Sequence, residues 1–197
     1  MRRLAILLAG AALLAGCAAG TSDNTEPAAT TAPVKAITIE PTAVYQTMNG
    51  FGASACWWSQ EVGNWENAKD ILSLLYDENS GIGLNIYRYN LGAGSKDDAT
   101  ITDPDRRAEA FIDKDGSYHW ERDAAAQNAL ALAKSMNKDL RVTLFSNSAP
   151  VFYTANGKAY CDYLPDDEKY VTNLEPERYA DFAKYSIACA KHFTEAG

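Results

Sequence analysis

The sequence is poor in the residues that hold metals. Its two histidines, His119 and His192, are isolated, and its four cysteines follow no zinc-ligand spacing. No metal and no cofactor is therefore expected. Runs of lysine or arginine are absent as well, and with 18 basic against 26 acidic residues the chain carries a net charge of −8, which argues against nucleic acid as a partner. No glycine fingerprint for phosphate follows a predicted strand: Gly81 and Gly83 precede one, and Gly92 and Gly94 lead into a loop. A dinucleotide-binding fold is disfavoured accordingly. The acidic groups Asp97, Asp98, Asp103 and Asp105, and Asp166, Asp167 and Glu168, lack the spacing of a calcium loop and read as solvated turns. The apolar run at residues 4–14 is shorter than the roughly 20 residues a membrane-crossing helix needs.

What is present is an ordinary globular balance, 47% hydrophobic and 22% charged, which suits one packed core. The N-terminus stands apart from it. Arg2 and Arg3 precede the apolar run, and Leu14-Ala15-Gly16-Cys17 resembles a bacterial lipobox. That resemblance implies a signal peptide over residues 1–16, cleavage before Cys17 and acylation of its thiol, placing the protein on the extracellular face of the bacterial envelope. The membrane would then be touched only through lipid. A plain secretory signal with an incidental cysteine is the alternative. Cleavage removes Arg2 and Arg3 but no acid, so the charge falls from −8 to about −10. Residues 17–35, rich in Ala, Thr and Pro, read as a flexible tether. Cys56, Cys161 and Cys189 remain, an odd number in an oxidising compartment, so at most one pair can close. Cys56 and Cys161 both follow predicted strands, which leaves a disulfide between them open, while Cys189 lies in a helical pattern and is expected to be buried.

Residues 36–47 alternate and are broken by Pro41, predicting a short β segment separate from the main sheet. From residue 48 a repeating order begins. Strands are predicted near residues 49–53, 83–90 and 140–146, and helices near 65–76, 123–136 and after Asn173. Ala68, Ile71, Leu72 and Leu75 would form the buried face of the first helix, and Ala126, Ala129, Leu130, Ala133 and Met136 that of the second. Asn173 is expected to cap the third, with Pro176 in its first turn and Tyr179, Phe182, Ala183, Ser186, Ala190 and Phe193 facing inward. Three strand-then-helix units in succession predict an α/β fold with a parallel sheet. A (β/α)₈ TIM barrel needs about 250 residues, so the chain reads as its first three units. Sheet edges left uncovered in such a piece make the chain, by itself, expected to be unstable.

The chemistry concentrates where strands end. Residues 141–157 read RVTLFSNSAPVFYTANG, an apolar strand running into hydroxyl, amide and aromatic groups, which is how a barrel rim handles sugar. Asn147, Ser148 and Phe152 are candidate substrate-binding residues; Ser146, Asn147 and Ser148 could equally cap the loop's own backbone. Trp57 and Trp58 follow the first strand, and indole faces stack on sugar rings, although one of the two is expected to be core. Arg88 closes the second strand; Tyr87 and Tyr89 alternate to its opposite face and are expected to pack.

Four passages resemble glycoside hydrolase family 30, in its endo-β-1,6-galactanase-like branch: QTMNGFGASACWW from residue 46, GIGLNIYRYNLGAG from 81, PDRRAEAFIDKDGSYHWERDAAAQ from 104, and the third strand with NLEPERYADFAKYSIACAKHF from 173. The resemblance implies a retaining β-glycosidase acting on a poly- or oligosaccharide, built as a partial (β/α)₈ barrel with a side β-sandwich to which residues 36–47 would contribute. It implies that Arg88 pairs with a nucleophilic carboxylate, and that Phe152 stands where the family usually has a tryptophan. The two glutamates of such an enzyme lie on its fourth and seventh strands, so both are expected beyond residue 197 and this chain alone is expected to be inactive. Glu175, in Asn173-Leu174-Glu175-Pro176, is read as a first-turn helix residue favoured by the helix dipole and not as one of them. A non-catalytic lipoprotein that captures carbohydrate is the alternative function; an unrelated doubly wound α/β protein is the alternative fold. The oligomeric state has no sequence signal.

Overall fold

The computed structural model describes residues 37–197. The signal peptide, Cys17 and the tether lie outside the described residues. Contacts divide the chain into residues 1–46 and 47–197. In the first unit residues 37–46 form no strand, contrary to the expected β segment. A turn closes with the Ala43 N–H donating to the Glu40 carbonyl at 3.1 Å, and Ile37, Ile39 and Val44 are exposed. Alternation predisposes a segment to extend, but a ladder needs a partner strand to accept its hydrogen bonds.

The second unit is the α/β part. Three strands, β1 (Gly52–Ser54), β2 (Ile86–Leu91) and β3 (Arg141–Ser146), form a parallel sheet in the order β1-β2-β3. Gly52 makes the first pairing possible, because a Cβ there would stand 2.4 Å from the Ile86 carbonyl oxygen. Between strands run α1 (Ser59–Val62) and α2 (Ala68–Tyr76), then α3 (Ala124–Met136), and α4 (Tyr179–Glu195) follows β3. A small antiparallel hairpin, β4 (Tyr163–Leu164) with β5 (Lys169–Tyr170), interrupts the last connection and had no counterpart in the sequence reading. No described helix is long and apolar enough to cross a membrane.

Strand β2 sorts the structure into two faces. Its burial alternates, with Tyr87, Tyr89 and Leu91 buried and Ile86, Arg88 and Asn90 half-buried. The buried side meets the helices: Tyr76 lies 5.5 Å from Tyr87, ring centre to ring centre, and Phe193 lies 4.5 Å from Tyr89. Leu72, Ala126, Leu130, Ala133 and Phe111 complete this core. At about 25 cal/mol per Å² of apolar area, such burial is the main force holding helices to sheet.

Two helix expectations are corrected. The first predicted helix is α2, which starts three residues late at Ala68, and the short α1 ahead of it was not expected. The third begins late. Asn173 is no cap, because its amide donates to the Lys158 and Tyr160 carbonyls at 3.0 and 3.1 Å. Glu175 is extended (ψ 134°), as a residue before proline is driven to be, so it is not in a helical turn; a 3₁₀ turn, Pro176–Arg178, follows before α4. The inner face of α4 is also rotated: Tyr185 and Cys189 are its buried residues, flanked by Phe182 and Phe193, while Tyr179 is 53% exposed. Contacts with the 111–120 segment select that face. The Phe111 N–H donates to the Tyr185 hydroxyl at 3.3 Å, and His192 stacks on Trp120 at 4.3 Å.

Candidate carbohydrate site at the strand ends

Opposite the helices, the parallel register aligns Ser54 with Arg88 and Thr143, and Asn90 with Phe145. These residues share one face because neighbours in register point the same way. Arg88 is the centre of a cluster there. Its Nε donates to the Ser54 hydroxyl at 3.1 Å, its Nη2 approaches the Cys56 sulfur at 3.8 Å, and its guanidinium carbon lies 3.9 Å from the centre of the Phe145 ring. No carboxylate of the described residues comes within ion-pair distance of it. A half-buried guanidinium held this way offers its outer edge to an anion.

Beside it, the Asn147 amide donates to the Asn90 side-chain carbonyl at 2.9 Å and reaches the Cys56 sulfur at 3.9 Å. Asn90, Asn147, Ser148, Trp57, Arg106 and Tyr160 line one cavity of about 170 Å³. Arg106 lies over the Trp57 ring at 5.5 Å, and Tyr160 reaches the Thr100 hydroxyl at 2.8 Å, joining the loops after β2 and β3. Amide groups beside an indole face, with Arg106 the single charged side chain on the lining, can grip a neutral hydroxylated ring.

The candidates thus separate. Trp57, Asn147 and Ser148 share the cavity wall, and Arg88 stands outside that wall, linked to Asn147 through the Cys56 sulfur that both approach. Trp58 turns inward, its indole N–H donating to the Ser54 carbonyl at 2.9 Å, and it packs on the core. Phe152 also packs on the core, edge-on to Tyr153 at 4.6 Å, and does not line the cavity. The Ser146 hydroxyl donates to the Ser148 carbonyl and the Ser148 hydroxyl to that of Ala149, so both hold the loop while Asn147 projects from it. Ser54, Cys56, Asn90 and Phe145 are members that the sequence reading passed over. Period-two alternation with Arg88 could have found Asn90, but Ser54 and Phe145 lie on other strands and needed the register. Cys56 and Cys161 are both free thiols, and Cys189 is buried as expected.

A second polar cluster sits on the helix side. The Tyr89 hydroxyl donates to the Asp123 carboxylate, the Asp123 N–H donates to Glu109 at 2.8 Å, and Lys96 pairs with Glu109 at 2.7 Å. Burial pushes Asp123 up to about 7, and the neighbouring Glu109 charge adds to the rise. For Glu109 burial acts upward too, but the Lys96 ammonium and the Asp123 N–H outweigh it and hold the carboxyl below its ordinary range. No group of three or more His, Cys, Asp or Glu among the described residues is arranged to hold a metal ion.

A parallel sheet with helices on one side, and amide, indole and guanidinium groups at the strand ends on the other, defines an α/β protein with a carbohydrate-compatible rim. The chain belongs to O-glycosyl hydrolase family 30, whose profile matches residues 34–197. It is similar to an endo-β-1,6-galactanase of Hypocrea rufa, 29% identical over 180 residues, covering 79% of this chain and 36% of that protein. It is also similar to a conserved exported protein from Bacteroides fragilis, with a TM-score of 0.70 and 29% identity over 81% of this chain and 34% of that one. The endo-β1,6-glucanase BT3312 shares the fold, with a TM-score of 0.54, 18% identity, and coverage of 80% and 34%. The chain spans about a third of the length of these relatives.

Proposed function

We propose that this chain is the N-terminal part of an exported, lipid-anchored, retaining β-glycoside hydrolase acting on a β-1,6-linked galactan or related oligosaccharide. Arg88 carries the reading: a half-buried cation in the middle of β2, level with the last residue of β1, with no acid partner among the described residues. Retention of stereochemistry needs two carboxyl groups about 5 to 5.5 Å apart. Both would come from strands outside these 197 residues, and Arg88 would keep the nucleophile ionised by charge pairing. Glu175 is not one of them: it sits in extended backbone ahead of Pro176, its N–H donating to the Tyr153 carbonyl at 3.1 Å. In this reading the three strands begin a (β/α)₈ barrel, residues 36–47 join a side sandwich with strands from elsewhere, and these residues alone cut nothing. Export is favoured by the signal-like N-terminus and by the exported Bacteroides fragilis neighbour.

The test uses the complete protein and β-1,6-linked galactooligosaccharides. The first product, followed by proton NMR, is expected to keep the β configuration. Arg88→Ala should lower turnover about 100-fold or more while barely moving the melting temperature. Inversion, absence of hydrolysis, or a turnover untouched by Arg88→Ala would each refute the proposal; binding of the oligosaccharide without hydrolysis would favour a sugar-capturing lipoprotein instead.

A further inference from the structure

Resting on that reading, we infer that Ser54 is a positioning residue for the glycosidase reaction, and that Phe145 is its partner in holding Arg88. An arginine is useful to a nucleophile only if the guanidinium presents the right edge, and the side chain has four rotatable bonds over which to scatter that edge. Here two contacts restrain it. The Phe145 ring, 3.9 Å from the guanidinium carbon, backs the group on one side. The Ser54 hydroxyl, accepting from Nε at 3.1 Å, fixes which nitrogen faces β1. Nε is thereby committed to β1, Nη2 has only the soft Cys56 sulfur at 3.8 Å, and Nη1 has no hydrogen-bond partner among the described residues. The Nη1–Nη2 edge is therefore the one left for a carboxylate, in the forked geometry that suits it.

The placement comes from the sheet itself. Ser54 and Arg88 are paired in register, and Phe145 is two residues along β3 from the partner of Arg88, so three strands each contribute one component. The Ser54 hydroxyl is in turn 3.0 Å from the Cys56 sulfur, and the Cys56 N–H reaches Ser54 Oγ at 3.4 Å. Holding such a group in place before substrate arrives removes the cost of ordering it during the reaction.

The experiment compares Ser54→Ala, Ser54→Thr, Phe145→Leu and Arg88→Ala in the complete protein, with a β-1,6-galactooligosaccharide as substrate. Ser54→Ala should lower kcat about ten-fold with little change in KM, and Ser54→Thr should restore most of the loss, because the threonine hydroxyl can still accept from Nε. Phe145→Leu should lower kcat several-fold. In Ser54→Ala the acid limb of the kcat/KM profile should move to higher pH, since a misdirected guanidinium lowers the nucleophile's pKa less. A kcat that stays unchanged in Ser54→Ala while Arg88→Ala remains crippled would overturn the positioning role but not the proposed function. Failure of Thr to rescue, with kcat and melting temperature falling together and the acid limb fixed, would make Ser54 a structural residue and also overturn it. If Arg88→Ala itself leaves turnover intact, the proposed function fails first.

Discussion

The Tyr89 hydroxyl, on the helix-facing side of β2, donates to the carboxylate of Asp123 at the start of α3. Both residues are largely buried, so the sheet and its second crossover helix share an ionisable contact with little access to water.

The burial of Asp123, which outweighs the opposing hydrogen bond from Tyr89, predicts how stability follows pH. The folded pKa of Asp123, about 7, lies above its ordinary value of 3.8, so its contribution is fully present below about 3.8 and is lost as pH rises through about 7. Within that window the slope is about 1.4 kcal/mol per pH unit at most. In thermal melts, wild type should gain stability relative to Asp123→Asn as pH is lowered from 8 to 5; a difference independent of pH would show that Asp123 is not protonated in the fold.

Gly63 should tolerate no side chain. A Cβ there would meet the Ala125 carbonyl oxygen at 1.8 Å, and that atom belongs to the backbone of α3 and cannot swing away. Gly63→Ala is expected to cost about 3 kcal/mol. Gly157, at φ +68° with nothing within 4 Å of its would-be Cβ, should lose only about 1 kcal/mol on the same change. Urea denaturation of the two variants checks the ranking.

The adjacent tryptophans should behave differently. Trp58→Phe deletes the N–H that satisfies the Ser54 carbonyl and should lower stability by about 1 to 2 kcal/mol. Trp57→Ala, at the cavity mouth, should leave the melting temperature nearly unchanged and raise KM for oligosaccharide about ten-fold in the complete protein. Calorimetry and steady-state kinetics separate the two outcomes.

The free thiols should react in order of exposure. Cys161 is exposed, whereas Cys189 is fully buried with burial pushing its thiol up to about 11. A thiol reagent at neutral pH should label Cys161 within minutes and Cys189 only after unfolding, as read by mass spectrometry of peptides. Labelling of Cys189 in the native protein would contradict the α4 packing.

Much of the fold was legible from periodicity. Strand β3 and helix α3 lie within a residue of their expected bounds, because a six-residue β run and an alanine-rich 3.6-residue repeat leave few alternatives. The inner face of α4 was not legible: Tyr179 and Tyr185 are equally aromatic, and only the Phe111 backbone and the Trp120 ring decide which is buried. The short α1 and the 3₁₀ turn before α4 likewise lie beside hydrogen bonds from distant residues, the Asn128 amide donating to the Gly63 carbonyl and the Glu175 N–H to the Tyr153 carbonyl.

At the site, Trp57 and Asn147 could be chosen by residue type and position just after strands, and Arg88 as the one cation within the second strand. Sequence alone determined the strand-then-helix order, the acidic balance and the family, because these reside in local pattern and composition. Tertiary structure decided which side chains meet: that Ser54 and Phe145 clasp Arg88, that Trp58 and Phe152 turn into the core, and that Asn90 pairs with Asn147. The register of a parallel sheet joins residues 34 and 57 positions apart, and no local propensity encodes that alignment.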